Sequence, residues 1–289
     1  MGIKFCDEHE IKSKVVDLIH SLIINIKEKN INNVYDIFRN VYNGLEYPID
    51  EELRSLYLRQ KSEIGLLKNN FLLENTDTHI GVDFPSWFNF SDKKDKIMVV
   101  GIDPFRDDRF KNGISIGSPF GIHDTHYDIL HKVKKKDVYW EFIAGLTEKF
   151  SVYVTDTFKV YFRENGNANH RSYNCIRFTN PAVPRWQDEI HQRIFAEEVK
   201  IINPKAIITL GIHPVRWFTG CKKENFAQLN QLILKDERLM NNGIPVLPFI
   251  HLSGRSTNQA MKLYGVNKEN KLGSKYVSII EDCLNKIIH

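Results

Sequence analysis

Cysteine is scarce. Cys6, Cys175, Cys221 and Cys283 are the only four in 289 residues, and no two stand close together. No C-x-x-C pair exists, so the usual zinc and iron–sulfur spacings are missing. A disulfide framework is not expected in a long chain with so few thiols. Long apolar runs are missing too: nothing approaches the ~20 residues that span a bilayer. The opening stretch, MGIKFCDEHEIKSK, is charged and has no apolar signal core. These absences point to a cytoplasmic, reducing setting, with no membrane partner and no metal. No G-x-G-x-x-G follows the first strand-like run, and no G-x-x-x-x-G-K-[ST] occurs. A nicotinamide enzyme and a phosphate-loop NTPase are therefore disfavoured. Repeats and low-complexity tracts are absent. Charge of one sign is also modest: 40 Lys and Arg against 36 Asp and Glu leave +4. That balance suits a polyanionic partner without requiring one.

What is present suffices for a real core, with 42% hydrophobic residues. Residues 1–75 read as helical. IKSKVVDLIHSLIINIKEKN places Val15, Leu18, Ile19, Leu22, Ile23 and Ile26 on one face. NVYDIFRNVY and DEELRSLYLRQKSEIGLLKNNF continue the pattern, with Asp50 suited to cap the latter. ENTDTHIGVDFPSWFNFSDKKDK, residues 74–96, reads as a loop. The rhythm then changes. IMVVGI (97–102), VYVTD (152–156), AIITLG (206–211) and VLPFIH (246–251) are short apolar runs separated by amphipathic segments, among them NFAQLNQLILKDERLMNN. Continuous apolar strands alternating with helices predict an α/β fold, with a mainly four-stranded parallel sheet covered on both faces. The expected division is a helical segment, 1–90, packed on an α/β domain, 91–289.

Ligands of open parallel sheets bind beyond the carboxyl ends of the strands. Right-handed crossovers bring those ends to one rim. The first strand is followed by GIDPFRDD with Asp103, and the second by TDTFK with Asp156 and Lys159. The third is followed by GIHPVRWF with His213, and the fourth by HLSGRS with His251, Ser253 and Arg255. Two carboxylates and two histidines suit acid–base or electrostatic catalysis. Each also has a plainer role: Asp103 as a turn residue before Pro104, Asp156 as a cap, His213 as a helix-start residue. GISIGSPFGIHD (113–124) adds a glycine-rich loop holding Phe120.

Taken in order, these segments resemble the uracil-DNA glycosylase superfamily. GIDPFRDD looks like its first motif, G-x-D-P-Y, and GSPFGIHD like the loop whose aromatic stacks on the extruded base. YVTDTFKVYF is similar to the second strand of the thermostable branch, T-N-x-x-K. IINPKAIITLGIHPVRWF resembles its third helix–strand unit, and HLSGRST its last motif, H-P-S-P-L-S. The resemblance runs from about residue 95 to the end of the chain. It implies a three-layer α/β/α fold and a cofactor-free hydrolase that cleaves the N-glycosidic bond of a flipped base in single- or double-stranded DNA, acting as a monomer. By the same resemblance Asp103 orients water and stabilises the sugar cation, and His251 stabilises the leaving base. Phe120 stacks on that base, a contact of roughly 1–3 kcal/mol. Phe105 excludes bulkier bases, and Asp156 reads the base edge. Ser118, Lys159, Ser253, Arg255 and Ser256 contact DNA.

The chain departs from the family pattern at several places. Asp156 stands where an asparagine is usual. An amide donates and accepts, whereas an ionised carboxylate only accepts, which favours a base edge with an amino donor. Arg255 falls at the apolar wedge, and Leu252 and Gly254 replace two prolines, which predicts a looser loop. Three readings stay open on the sequence alone: a DNA glycosylase for uracil or another damaged base, a non-catalytic nucleic-acid or nucleotide-binding module, and an unrelated hydrolase of nucleosides or phosphoesters.

Overall fold

The computed structural model describes residues 2–23, 27–45, 78–102, 114–135, 137–164, 186–221, 223–268 and 270–288. The helix expected after Asp50 lies outside them, as do Asp103 and Phe105. Among the described residues nine strands form two sheets. They are β1 (Thr78–Asp83), β2 (Ser86–Phe88), β3 (Lys96–Gly101), β4 (Ile114–Gly117), β5 (Ser151–Asp156), β6 (Val160–Glu164), β7 (Ala206–Leu210), β8 (Met240–Asn241) and β9 (Ile244–Phe249). The helices are α1 (Ile11–Leu18), α2 (Glu28–Tyr42), α3 (Ile122–Leu130), α4 (Val138–Lys149), α5 (Trp186–Ile202), α6 (Ile212–Thr219), α7 (Phe226–Leu232), α8 (Gly254–Tyr264) and α9 (Asn270–Ile288).

The main sheet has the order β2-β5-β3-β7-β9-β8. Its four central strands are the four expected ones, and they run parallel. Ile97, Met98, Val99 and Val100 point alternately to opposite faces, yet all four are fully buried. Helices therefore cover both faces, as continuous apolar strands require, in an α/β/α arrangement. The sheet is six-stranded rather than four-stranded. β2 joins β5 and β8 joins β9, both antiparallel. β8 lies in a stretch expected to be helical throughout. The helix stops at Leu232, where Ile233 swings to ψ 129° and Leu234 follows in a left-handed conformation (φ 61°), and Asn242-Gly243, both at positive φ, turn a tight hairpin.

The second sheet, β4-β1-β6, has β1 in its centre, parallel to β4 and antiparallel to β6. β1 and β2 occupy much of the stretch read as a loop. Their partners lie elsewhere in the chain, so the stretch itself shows little period. Residues before 90 share the apolar core of the sheet. Phe5 bridges to Phe88, α1 packs on α5 and α2 on α3. Tyr35 lies against Phe84 and Trp87, and its hydroxyl donates to the Pro85 carbonyl at 2.8 Å.

Candidate functional site

The site forms where β3 and β5 end side by side. Gly101 is the register partner of Asp156. The chain after Asp156 folds back onto β3: Thr157 N–H donates to Gly101 O at 3.0 Å and Phe158 N–H to Ile102 O at 2.9 Å. Gly101 must lack a side chain. A β-carbon there would overlap Asp156 Oδ1 and come within 2.9 Å of Phe120 Cε1. Asp156 and Phe120 therefore flank one small gap.

Lys159 anchors the Asp156 turn from beneath. Its ammonium donates to Glu198 Oε2 at 2.6 Å, and to Thr155 Oγ1 and the Asp156 carbonyl at 2.5 Å each. Glu198 Oε1 accepts from Thr155 Oγ1 at 2.7 Å and from Tyr153 Oη at 3.0 Å. The Lys159 and Glu198 side chains are 1% and 0% exposed. A lysine so enclosed reaches no DNA phosphate, so the expectation for Lys159 is corrected: an ion-pair partner inside the fold holds it there.

Phe120 is presented by strained backbone. β4 ends at Gly117, whose carbonyl accepts from Phe84 N–H at 2.8 Å. Phe120 then adopts φ 59°, ψ 9°, and Gly121 φ 60°. A bulky residue there costs about 1–3 kcal/mol and persists only where its surroundings impose it. Ser118 helps impose it: its hydroxyl lies 2.6 Å from His123 Nδ1 and is fully buried. That hydroxyl therefore faces inward rather than toward DNA.

His251 follows β9. The Tyr276 hydroxyl donates to the Ile250 carbonyl at 2.8 Å. Leu252 is buried, and Thr257 Oγ1 donates to the carbonyls of Leu252 (3.3 Å) and Ser253 (3.1 Å). These contacts hold the loop where prolines are missing. Gly211, beside His251, takes φ 104°, a conformation that residues with a side chain rarely adopt. Ser253 N–H donates to His251 Nδ1 at 3.2 Å. A backbone N–H can only donate, so Nδ1 accepts and the neutral ring carries its proton on Nε2. Desolvation keeps the ring neutral, lowering its pKa to about 4.

Tyr139, at the start of α4, joins these groups. Its ring stacks on Phe120 with centroids 4.9 Å apart and planes 18° apart. Tyr139 Oη lies 2.8 Å from His251 Nδ1 and 3.1 Å from Nε2. Burial first, then the charges of Asp137 and Asp156, hold its phenol well above the ordinary value. Phe120 meets His251 edge-on at 6.3 Å. Phe120, Tyr139, Asp156 and His251 thus converge.

A family model described as the uracil DNA glycosylase superfamily matches residues 88–273, well over half of the chain. The chain belongs to the uracil DNA glycosylase superfamily. No curated protein matches the sequence. The matched span of this superfamily member contains Gly101, Phe120, Tyr139, Asp156 and His251. β1 lies upstream of it, yet β1 pairs with both β4, which leads into Phe120, and β6, which follows the Asp156 turn. The non-matching N-terminal region therefore braces both arms of the superfamily site.

Ser253 stands exposed at the start of α8, and Ser256 is half-buried in its first turn. Arg255 lies in that same turn, with its side chain outside the described atoms. Among the described residues no helix is long and apolar enough to cross a membrane. Sequence reasoning missed Tyr139 and Gly101. The cap Asp137, which accepts from the N–H groups of Tyr139 and Trp140, marks the helix start but not the ring's destination. Gly101 sat unremarked beside Asp103.

Proposed function

We propose that the chain is a DNA glycosylase that hydrolyses the N-glycosidic bond of uracil or another damaged base, taken from DNA and seated at the ends of β3, β5 and β9. The observation that carries this reading is the convergence of Phe120, Asp156 and His251 within a member of the uracil DNA glycosylase superfamily. Breaking the bond leaves positive charge on the sugar and negative charge on the base. The neutral His251 ring, with its Nε2–H, is suited to donate to an oxygen of the departing base. The depressed pKa matters: the donor is an imidazole that ordinary pH leaves uncharged. Asp103 takes the sugar side, orienting the attacking water and taking its proton as the hydroxyl adds to the sugar carbon. Phe120 stacks on the base, and Phe105 limits its size.

Asp156 selects the base. An ionised carboxylate repels a carbonyl oxygen and accepts from an amino or ring N–H group. An amino-bearing base is therefore the better partner for its edge than one with two carbonyls. DNA contacts are assigned to Ser253, Ser256 and Arg255, around the N-terminus of α8 where backbone N–H groups favour phosphate.

The test is a strand-cleavage assay on single- and double-stranded oligonucleotides carrying uracil, hypoxanthine, xanthine or methylated bases. Excision of at least one base is expected, with loss in Asp103→Asn and His251→Ala. Excision untouched by both substitutions overturns the assignment. Salt-sensitive DNA binding without an abasic product would instead mark a non-catalytic module, the alternative that the Asp156 departure favours.

A further inference from the structure

Tyr139 makes the contacts that a seated base is expected to make. It lies nearly parallel to Phe120, at 4.9 Å and 18°. Tyr139 Oη lies 2.8 Å from Nδ1 and 3.1 Å from Nε2 of His251, close enough for one hydrogen bond between phenol and imidazole. The two rings meet edge-on at 5.5 Å. The charge of Asp156 is also felt at the phenol. A phenol ring is close to a pyrimidine in size and likewise offers one ring-borne oxygen. On the proposed function, a flipped base needs the same aromatic neighbour, the same N–H donor and the same carboxylate.

We propose that Tyr139 fills the base seat in the free protein as an internal competitor and turns out when a base enters. This rests on the reading of the site as a base seat. Tyr139 is partly exposed, and the helix start beneath it is pinned by Asp137, whose carboxylate accepts from Tyr139 N–H at 2.9 Å and Trp140 N–H at 3.1 Å. A side-chain rotation therefore suffices, without unwinding α4. The consequence falls on every base alike. An entering base must replace one stack and one hydrogen bond with equivalents of its own, so those two contacts bring little net gain. What remains to favour a base over the tyrosine is its edge toward Asp156. The tyrosine therefore lowers the affinity of every base by the same amount and leaves the choice among them to the edge that faces Asp156.

The experiment compares the full-length wild type, Tyr139→Ala and Tyr139→Phe. Binding of free uracil, cytosine and hypoxanthine is measured by calorimetry, and excision of the same three bases from single-stranded oligonucleotides is followed in parallel. Tyr139→Ala is expected to bind these bases on the order of tenfold tighter, since the competing stack and hydrogen bond are gone. The gain should be similar for all three bases, because each displaces the same ring. Tyr139→Phe keeps the ring and loses the oxygen, so it should fall between the two. If the wild type excises a base and Tyr139→Ala binds it no better or cleaves it worse, Tyr139 is a fixed wall and the proposal is overturned while the glycosylase reading stands. If circular dichroism shows all three folded and none binds or excises any base, the glycosylase reading itself falls, and this proposal with it.

Discussion

The buried pair beneath the site gives the sharpest test of how the fold holds Asp156. Lys159 and Glu198 are 1% and 0% exposed, 2.6 Å apart, and tied to Thr155, Tyr153 and the Asp156 carbonyl. Replacing Glu198 with Gln removes one charge and strands the other. An uncompensated ammonium in such a place costs about 3–5 kcal/mol. A shift of roughly 2–4 °C per kcal/mol in a chain of this size puts the fall in Tm on the order of 10 °C. Lys159→Met strands the carboxylate and should cost a similar amount. The double variant Lys159→Met/Glu198→Gln leaves no buried charge, so its cost should fall well short of the sum, with a coupling of about 2 kcal/mol or more. Urea unfolding of the four proteins measures that coupling. Single variants that each cost under about 1 kcal/mol, or a cycle that is simply additive, would refute the reasoning, because neither can hold for a desolvated ion pair. The double variant also frees the Asp156 carbonyl from its ammonium. Base excision should therefore drop more in that protein than its stability explains.

Three further outcomes are expected. Gly101→Ala places a methyl group against Asp156 and Phe120, so excision should fall at least tenfold while the unfolding free energy drops by about 1–3 kcal/mol, the ordinary cost of overpacking; unchanged turnover would show that the gap is not the base seat. Phe120→Ala keeps the strained backbone but removes the ring, and the loss of a stack worth about 1–3 kcal/mol should raise KM or Kd roughly 5- to 150-fold; titration with a base-containing oligonucleotide reads it. His251 titrates near pH 4 in the folded chain and near 6.5 when exposed. Its depressed pKa means that the unfolded chain binds the proton more readily, so the stability held by the neutral ring is complete above about pH 6.5 and lost as pH falls toward 4, by about 3 kcal/mol. His251→Gln should remove that part of the acid sensitivity, and parallel urea midpoints in both proteins from pH 7.5 to 4 would contradict it.

The central strands were legible because of where they sit. β3, β5, β7 and β9 are covered on both faces, so their sequences are unbroken apolar runs that no other element produces at that length. β1 and β8 were not legible. T-H-I-G-V-D owes its strand to partners at 114–117 and 160–164, and Met240–Asn241 is only two residues long. The Asn242-Gly243 hairpin signal was present but lay inside a run taken as helical. At the site, Asp156 and His251 could be nominated because strand ends of a parallel sheet share a rim, and Phe120 because its glycine-rich loop resembles the family's base-stacking loop. Lys159 was assigned to DNA by its place at a strand end and the family resemblance; its enclosure needed Glu198, 39 residues away, and nothing local announces that pairing. Tyr139 escaped because an aromatic near a helix start is ordinary, and only the placement of α4 sends it into the site.

HLSGRSTNQ and GIDPFRDD are local patterns, and local patterns were enough to determine the class of fold, the four central strands and the family. Tertiary structure alone decided which polar groups face the seat and which face inward. Burial converted Lys159 from a surface cation into an anchor, turned Ser118 onto His123 and put Tyr139 beside Phe120 and His251. The physical reason is that desolvation and pairing depend on neighbours from distant parts of the chain, whereas the periodicity of a strand is written in consecutive residues.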